Sequence, residues 1–547
     1  MAVGTVLENL SNRKLCAILS TLVGLQLVFI FLGAVIAPPP STSMDFMLTR
    51  CRDKNHGQTN EWFYIRPKHC DVIEPNEGFD SYSPDARDIV FVAQLPHARS
   101  GAELEYSPWF QFLLGLLDIE VEYIDGVPVE ENIQIQLEIR MAYRTKQDSP
   151  ENWHELISTT IDRELSCTID PHKRMRGYTY NCSIIDLFEL GANNYPFYLL
   201  NIRLPINKTY CNTHNRVGPN CNIPAIKDLH VIAIHQNGGF TAVWLWLKTL
   251  ISPFIILATF WYYKRMSLLN RQRFLIEKCI LALGVSLVVL DFPLEWISLY
   301  LKMPFMLLIS DIRQGLFYTV LLSFWLIYAG EHLLDDSSRN SLRNYKYTLG
   351  VVLSGCICLL IYDLFERGAQ LSDPFHSIWS TKSGRQIAYT TLHIATLCSI
   401  LYFAFLVYKI FRAWSTIKQK RAAQLYRMSE HSRLKVENVI YRFKFLMFFT
   451  VTCALFTIIS YFLKQYGENS LHGEDYDESS WLSNSTSAFF TGTFGMWNIY
   501  VLLLLSMYAP SHKYYANAQM LEDENVDLMN TGTESAPLTT FLKPSAD

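Results

Sequence analysis

The chain has 547 residues, of which 50% are hydrophobic, 14% aromatic and only 18% charged, with 51 acidic against 47 basic side chains. That balance is too apolar for a purely soluble protein and too mixed for one confined to a membrane. At a formal charge of −4 it offers no basic footprint, so no nucleic-acid partner is expected.

Apolar runs occur at Leu15–Ala37, Thr241–Tyr263, Cys279–Leu301, Phe305–Leu334, Tyr347–Leu364, Ile387–Phe411, Phe445–Leu463 and Ser487–Tyr508. Each is near the roughly 20 residues that a helix needs to cross a bilayer. They divide the chain into an N-terminus (1–14), a first membrane helix (15–37), an extramembrane domain (38–238), a seven-helix bundle (239–508) and a tail (509–547). The first run has the basic start of a signal peptide. Its apolar stretch is longer than the usual ~7–15 residues, and Pro38-Pro39-Pro40 occupies the cleavage region, so an uncleaved anchor is expected.

Lysine and arginine gather before the first run (Arg13, Lys14), between the second and third (Lys264 to Lys278) and between the sixth and seventh (Lys409 to Lys444). Under the positive-inside rule these segments are cytosolic. Both termini are then cytosolic and the 38–238 domain is luminal. The basic segment from Arg412 to Lys444 also suits an anionic lipid surface.

Within the luminal segment, period-2 alternation predicts strands at Asp88–Leu95, Leu116–Ile124, Ile133–Thr145, Leu156–Ile169, Tyr178–Leu190, Tyr198–Ile206 and Leu229–His235. The expected fold class is therefore an α+β membrane protein, with a luminal antiparallel β-sandwich, or small barrel, attached to eight transmembrane helices. Six cysteines fall in this segment: Cys51, Cys70, Cys167, Cys182, Cys211 and Cys221. Of their 15 pairings, 51–70, 167–182 and 211–221 close the shortest loops. Without a luminal CxxC pair, zinc is the weaker reading. Glycosylation sequons stand at Asn181, Asn207 and Asn484, with Asn207 best placed.

The chain lacks GxSxG, HExxH, a Walker loop and a dinucleotide fingerprint. His393, alone in the sixth run, could serve a membrane acyltransferase as base, but solitary membrane histidines are more often structural. No catalytic site, metal or cofactor is expected.

More is said by the charges at the ends of the runs. Asp291, Glu295, Asp311, Arg313, Asp363, Glu366 and Arg367 all fall toward the luminal half of three consecutive helices. Five acids and two bases leave an excess of three negative charges, read either as ion pairs that lock helices or as an anionic rim that steers a basic ligand. In the last run Ser487, Thr491 and Gly495 recur at i, i+4 and i+8. Such small residues let helices approach closely or leave a groove for an acyl chain, whose candidates are Phe317, Trp325, Phe490, Thr491 and Gly495. The tail is acidic and Ser/Thr-rich, a composition of disordered segments. Glu524, Leu528 and Met529 have the spacing of an acidic dileucine-type sorting signal.

Several strings are more specific: SPWFQF at 107–112, FYLLNIRLP at 197–205, HQNGGFTAVW at 235–244, DIRQGLFYTVLLSFW at 311–325, ERGAQLSDPFHSIW at 366–379, YRFKFLM at 441–447, FFTGTFGMWNIYV at 489–501 and YAPSHK at 508–513. They closely resemble the Wntless family, in order, from the first helix to Lys513. The resemblance implies a cargo receptor that collects lipid-acylated Wnt proteins, shields the acyl chain inside a receptor-like bundle, carries them through the endoplasmic reticulum and Golgi to the cell surface, and recycles through endosomes with retromer and clathrin adaptors. The chain departs from the family pattern at Val436-Glu437-Asn438-Val439, where a YEGL endocytic motif would stand, at Phe541–Asp547, which lacks a vertebrate-type retrieval tail, and at the added pair Cys211 and Cys221. An invertebrate member is expected, with Leu528-Met529 substituting for the missing signal. The rival from another class is a G-protein-coupled signalling receptor. It should carry DRY-like or NPxxY-like switches, for which Glu331-His332 and Asn498-Ile499-Tyr500 are poor substitutes.

Overall fold

The computed structural model describes residues 12–55, 60–73, 89–98, 102–124, 132–175, 177–205, 220, 221, 223, 226–268, 273–331, 340–425, 452, 453 and 479–510. An N-terminal helix α1 (Asn12–Phe31), extended by a π-helical turn (Leu32–Ile36), leads into ten strands: β1 (Ser41–Met47), β2 (Thr49–Arg52), β3 (Ile89–Leu95), β4 (Leu113–Val121), β5 (Asn132–Arg144), β6 (His154–Thr168), β7 (Asn181–Cys182), β8 (Ile185–Leu190), β9 (Phe197–Arg203) and β10 (Ile226–Gln236). The helices α2 (Gly238–Ser267), α3 (Leu275–Asp291), α4 (Glu295–Ser298), α5 (Met306–Glu331), α6 (Lys346–Gln370), α7 (Lys382–Leu425) and α8 (Ser479–Met507) follow.

The strands form two antiparallel sheets, β1-β10-β4-β8 and β2-β3-β9-β5-β6-β7, packed face to face as a sandwich. In β5, Ile133, Ile135, Leu137, Ile139 and Met141 point into the core and meet Leu117, Val231 and Ala233 of the smaller sheet. Strand β9 is buried on both faces: Leu200 and Ile202 join that core, while Leu199 lies under Phe63, Tyr64 and Trp153. On its covered face, Asn201 accepts from the Phe63 N–H at 2.9 Å and donates to the Phe63 carbonyl at 3.0 Å. These bonds offset the desolvation of its amide.

Three strand expectations are corrected. Strands β1 and β2 were not predicted, since STSMDFM and TRCR have little apolar alternation. The expected strand Tyr178–Leu190 is broken into β7 and β8, which belong to different sheets. Disulfides join Cys51 to Cys70 and Cys167 to Cys182, the latter pair directly opposed across β6 and β7. Cys221 is also disulfide-bonded, whereas Cys211 lies outside the described residues.

Six described helices, α1, α2, α5, α6, α7 and α8, are long and apolar enough to cross a membrane. The expected span Cys279–Leu301 is corrected to the 17-residue α3, which stops at Asp291. Proline at 293 has no N–H to donate and forces Phe292 out of the helical region, to φ −60° and ψ 121°. The expected span Phe445–Leu463 falls outside the described residues.

Two devices seat the sandwich on the bundle. Strand β10 runs into α2 through Asn237, whose side-chain oxygen accepts from the Gly239 and Phe240 N–H groups and caps the helix. After α6, the loop projects Phe375 into the sandwich core beside Phe188. The Glu189 N–H donates to the Pro374 carbonyl at 2.9 Å and Arg163 donates to the Phe375 carbonyl at 2.6 Å.

Candidate functional site

Between the sandwich and helices α2, α3, α5 and α8 lies a cavity of about 850 Å³, within the range of small-molecule sites. Phe112 and Gln236 of the sandwich contribute to one end. Below them the wall is aromatic and aliphatic: Trp244 from α2, Leu287 from α3, Phe317 from α5, and Phe490 and Trp497 from α8. Helical periodicity brings these side chains together. Phe490, Phe494 and Trp497 follow one another at four- and three-residue spacing along α8, on one face of that helix.

The cavity wall also carries charge. Lys248 of α2, 6% exposed, donates to Glu295 Oε1 at 2.6 Å. Arg313 of α5 approaches the same oxygen at 3.6 Å, and its guanidinium donates to the carbonyls of Val289 (2.8 Å), Leu290 and Phe292. The break in α3 leaves the Val289 and Leu290 carbonyls without helical donors, so Arg313 caps that helix terminus. Asp291, the last residue of α3, is fully buried and lines the cavity.

The seven predicted charges do not form one anionic rim; they divide into two sets. Asp291, Glu295 and Arg313 join Lys248, which sequence reasoning missed, in a group of two acids and two bases. The signal was present, because a lysine inside WLWLKTL needs a partner. The second set ties the sandwich to the bundle. Arg367 of α6 bonds Glu189 of β8 at 2.6 Å and contacts Asp311 of α5 at 2.7 Å. Asp363 stands in the field of Asp311 and Arg367, and Glu366 accepts from the Ile378 N–H. The helix-locking reading describes this set.

Of the acyl-groove candidates, Phe317 and Phe490 lie in the cavity wall. Trp325, Thr491 and Gly495 do not, and are corrected. The Trp325 indole donates to the Tyr500 hydroxyl at 3.1 Å within the bundle core. Thr491 donates to the Phe29 carbonyl at 2.8 Å, and a Cβ on Gly495 would fall 2.3 Å from the Phe29 ring. Together with Ser487, which donates to the Pro38 carbonyl at 2.6 Å, the small-residue stripe faces α1. Close helix approach, rather than a groove, is what it serves.

Among the described residues no group of three or more His, Cys, Asp or Glu side chains is arranged to hold a metal ion. His393 is exposed on α7 and stacks on Tyr389. Asn181 is exposed on β7, and Asn484 lies in α8. Asn207, Glu524, Leu528 and Met529 lie outside the described residues.

Comparison with known proteins gives two family matches: the Wntless GOLD domain over residues 49–236 and the Wntless-like transmembrane domain over residues 237–512. A relative from Caenorhabditis elegans named Protein wntless homolog is 53% identical over 553 aligned residues, covering 100% of both chains. Relatives of the same name from Gallus gallus and Homo sapiens are each 38% identical over 543 residues, 98% of this chain and 96% of theirs.

Proposed function

The chain belongs to the Wntless family, with greater identity to the nematode relative than to the vertebrate ones, and on that premise we propose that it carries lipid-acylated Wnt proteins through the secretory pathway. It is a multi-pass membrane protein with a sandwich domain built on the bundle. The observation that supports the finer reading is the 850 Å³ cavity, apolar along α5 and α8 and polar at Lys248, Asp291 and Glu295. An acyl chain on a secreted protein is costly to leave in water, about 0.8 kcal/mol for each CH₂. Phe317, Phe490 and Trp497 supply the apolar wall that would hide it, and the sandwich supplies a surface for the protein part. The work is binding and shielding, without a covalent step.

The same reading places the sandwich in the lumen and both termini in the cytosol, as the basic segments suggest. It takes the protein through the endoplasmic reticulum and Golgi to the plasma membrane and back through endosomes. Retromer and clathrin adaptors would then act on the cytosolic side, with Glu524, Leu528 and Met529 as the sorting signal, and Asn181 as an exposed glycosylation acceptor.

The test is co-purification of the full chain from detergent with a secreted Wnt and with its Ser→Ala variant that cannot be acylated. At least tenfold greater recovery of the acylated form is expected. Equal recovery of both would place recognition on the sandwich and remove the cavity from the account.

A further inference from the structure

The turn that joins β6 to β7 presents a basic and apolar tip on a fixed base. Cys167 and Cys182 face each other across the two strands and are joined by a disulfide. The turn itself is ordered: a 3-10 turn (Pro171–Lys173) is capped by Asp170, which accepts from the His172 N–H at 3.0 Å, and the Met175 N–H donates to the Lys173 carbonyl at 2.8 Å. Residues 170–175 are all exposed, as are Gly177 and Tyr178. Met175 at 55% and Tyr178 at 45% exposure lie open beside Lys173 and Arg174, neither of which has a carboxylate partner. Counting Arg176, the stretch 170–178 holds three Lys or Arg side chains against one acid, Asp170. Glu122, opposite Thr179, is the acid at its base.

The course of β6 carries this tip past the edge of the bundle. Near its start, Leu156 and Ile157 share a small pocket with Pro304, Leu307 and Leu308. Farther on, Arg163 donates to the Phe375 carbonyl of the α6–α7 loop at 2.6 Å. The strand therefore runs along the side of the sandwich that meets the bundle, and it ends at Thr168, about 16 Å beyond Arg163 at the usual strand rise. At the other end of that side, the chain between α4 and α5 exposes Tyr300, Leu301 and Phe305 beside Lys302, the same mixture of aromatic, apolar and basic groups. Lys and Arg with Tyr and Met between them suit a membrane interface, where the stems lie along apolar groups and the charges meet headgroups. We propose that Lys173, Arg174, Met175 and Tyr178 contact anionic lipid headgroups on the sandwich side of the membrane and give the sandwich a second footing beside the α6–α7 loop. The exposed Met and Tyr, and the continuity with a membrane-spanning bundle, favour a lipid surface over a soluble polyanion. The contact is independent of the cavity and of what the cavity holds.

The experiment is amide hydrogen exchange of the full chain in nanodiscs of phosphatidylcholine alone and of phosphatidylcholine with about 30% phosphatidylserine. The expected result is exchange roughly tenfold slower over residues 172–178 in the phosphatidylserine discs, reversed by raised salt and absent in Lys173→Glu/Arg174→Glu. Both positions are exposed, so the double variant keeps its fold, which unchanged exchange in β5 and β9 verifies. Equal exchange of the wild type in the two kinds of disc would overturn the proposal, and so would slowing that persists in the double variant. Slowing by added heparin in phosphatidylcholine discs, with none from phosphatidylserine, would also overturn it, showing a site for a soluble polyanion. Recovery of acylated cargo is read separately, so failure here leaves the carrier reading in place.

Discussion

His230 lies on the outer face of the four-stranded sheet, 3.4 Å from Asp45 and 3.9 Å from Glu120, and its pairing partner on β4 is Asp118. The hydrogen bond that the imidazole donates to Asp45 outweighs partial burial and raises it above its ordinary value of 6.5. A histidine raised in the folded state holds its proton to higher pH than the unfolded chain does. Its stabilisation is therefore full below about pH 6.5 and is lost as pH rises through the higher folded value. The difference in unfolding midpoint between wild type and His230→Gln is expected to be larger at pH 5.5 than at pH 8. A pH-independent difference would show that Asp45 and Glu120 do not hold the charged imidazole. His235, nearby on β10, has the opposite shift because burial lowers it, so the wild-type profile alone would mix the two and the comparison must be made against the variant.

Among the helices, α1 and α8 show how closely two membrane elements approach when small residues meet. Gly33 sits against Thr491 and the Ser487 carbonyl, and Gly495 sits against Phe29. Apolar side chains gain little by leaving lipid for one another, so this contact depends on packing and on the bonds from Ser487, Thr491 and Gln26 to the facing backbone. Substituting Gly495→Val drives a methyl group into the Phe29 ring and should destabilise the chain in detergent by about 1–3 kcal/mol. Gly315→Ala on α5 meets nothing within 4 Å and should be neutral or gain a fraction of the ~1 kcal/mol helix preference. Equal midpoints for the two variants would refute the close contact. The α3 break belongs to the same scale: Phe292-Pro293 ends the helix early, and the carbonyls exposed there draw Arg313 out of the rim that its sequence position suggests.

For the molecule as a whole, the sandwich and bundle are coupled through the α6–α7 loop and Arg367. Phe375 is a bundle-side residue that completes the sandwich core at 1% exposure. Phe375→Ala should cost about 3–5 kcal/mol of local stability and speed amide exchange in residues 371–381 and at Glu189, while leaving the disulfide-closed sheets protected. Unchanged exchange there would mean that the domains are held by other contacts. The apolar runs of α2, α5, α6, α7 and α8, the alternation in β5 and β9, the cysteine loops 51–70 and 167–182 and the family strings were all legible in the sequence, because each depends on local periodicity or on near neighbours along the chain. The strands β1 and β2 were not, since their polar residues pair only because β10 and β3 are already in place. The cavity was half legible. Phe317 and Phe490 follow from apolar helices with aromatic faces, but which face of α8 meets α1 and which meets the cavity has no signature in a stripe of small residues. Nor does the sequence say that Lys248 crosses to Glu295, 47 positions away, or that Arg313 turns to backbone carbonyls. The sequence by itself determined the long apolar helices, the strands with clear alternation and the family they make. Only the tertiary structure decided which charges neutralise one another, because in a membrane that choice depends on distances between helices, which hydrophobic periodicity does not encode.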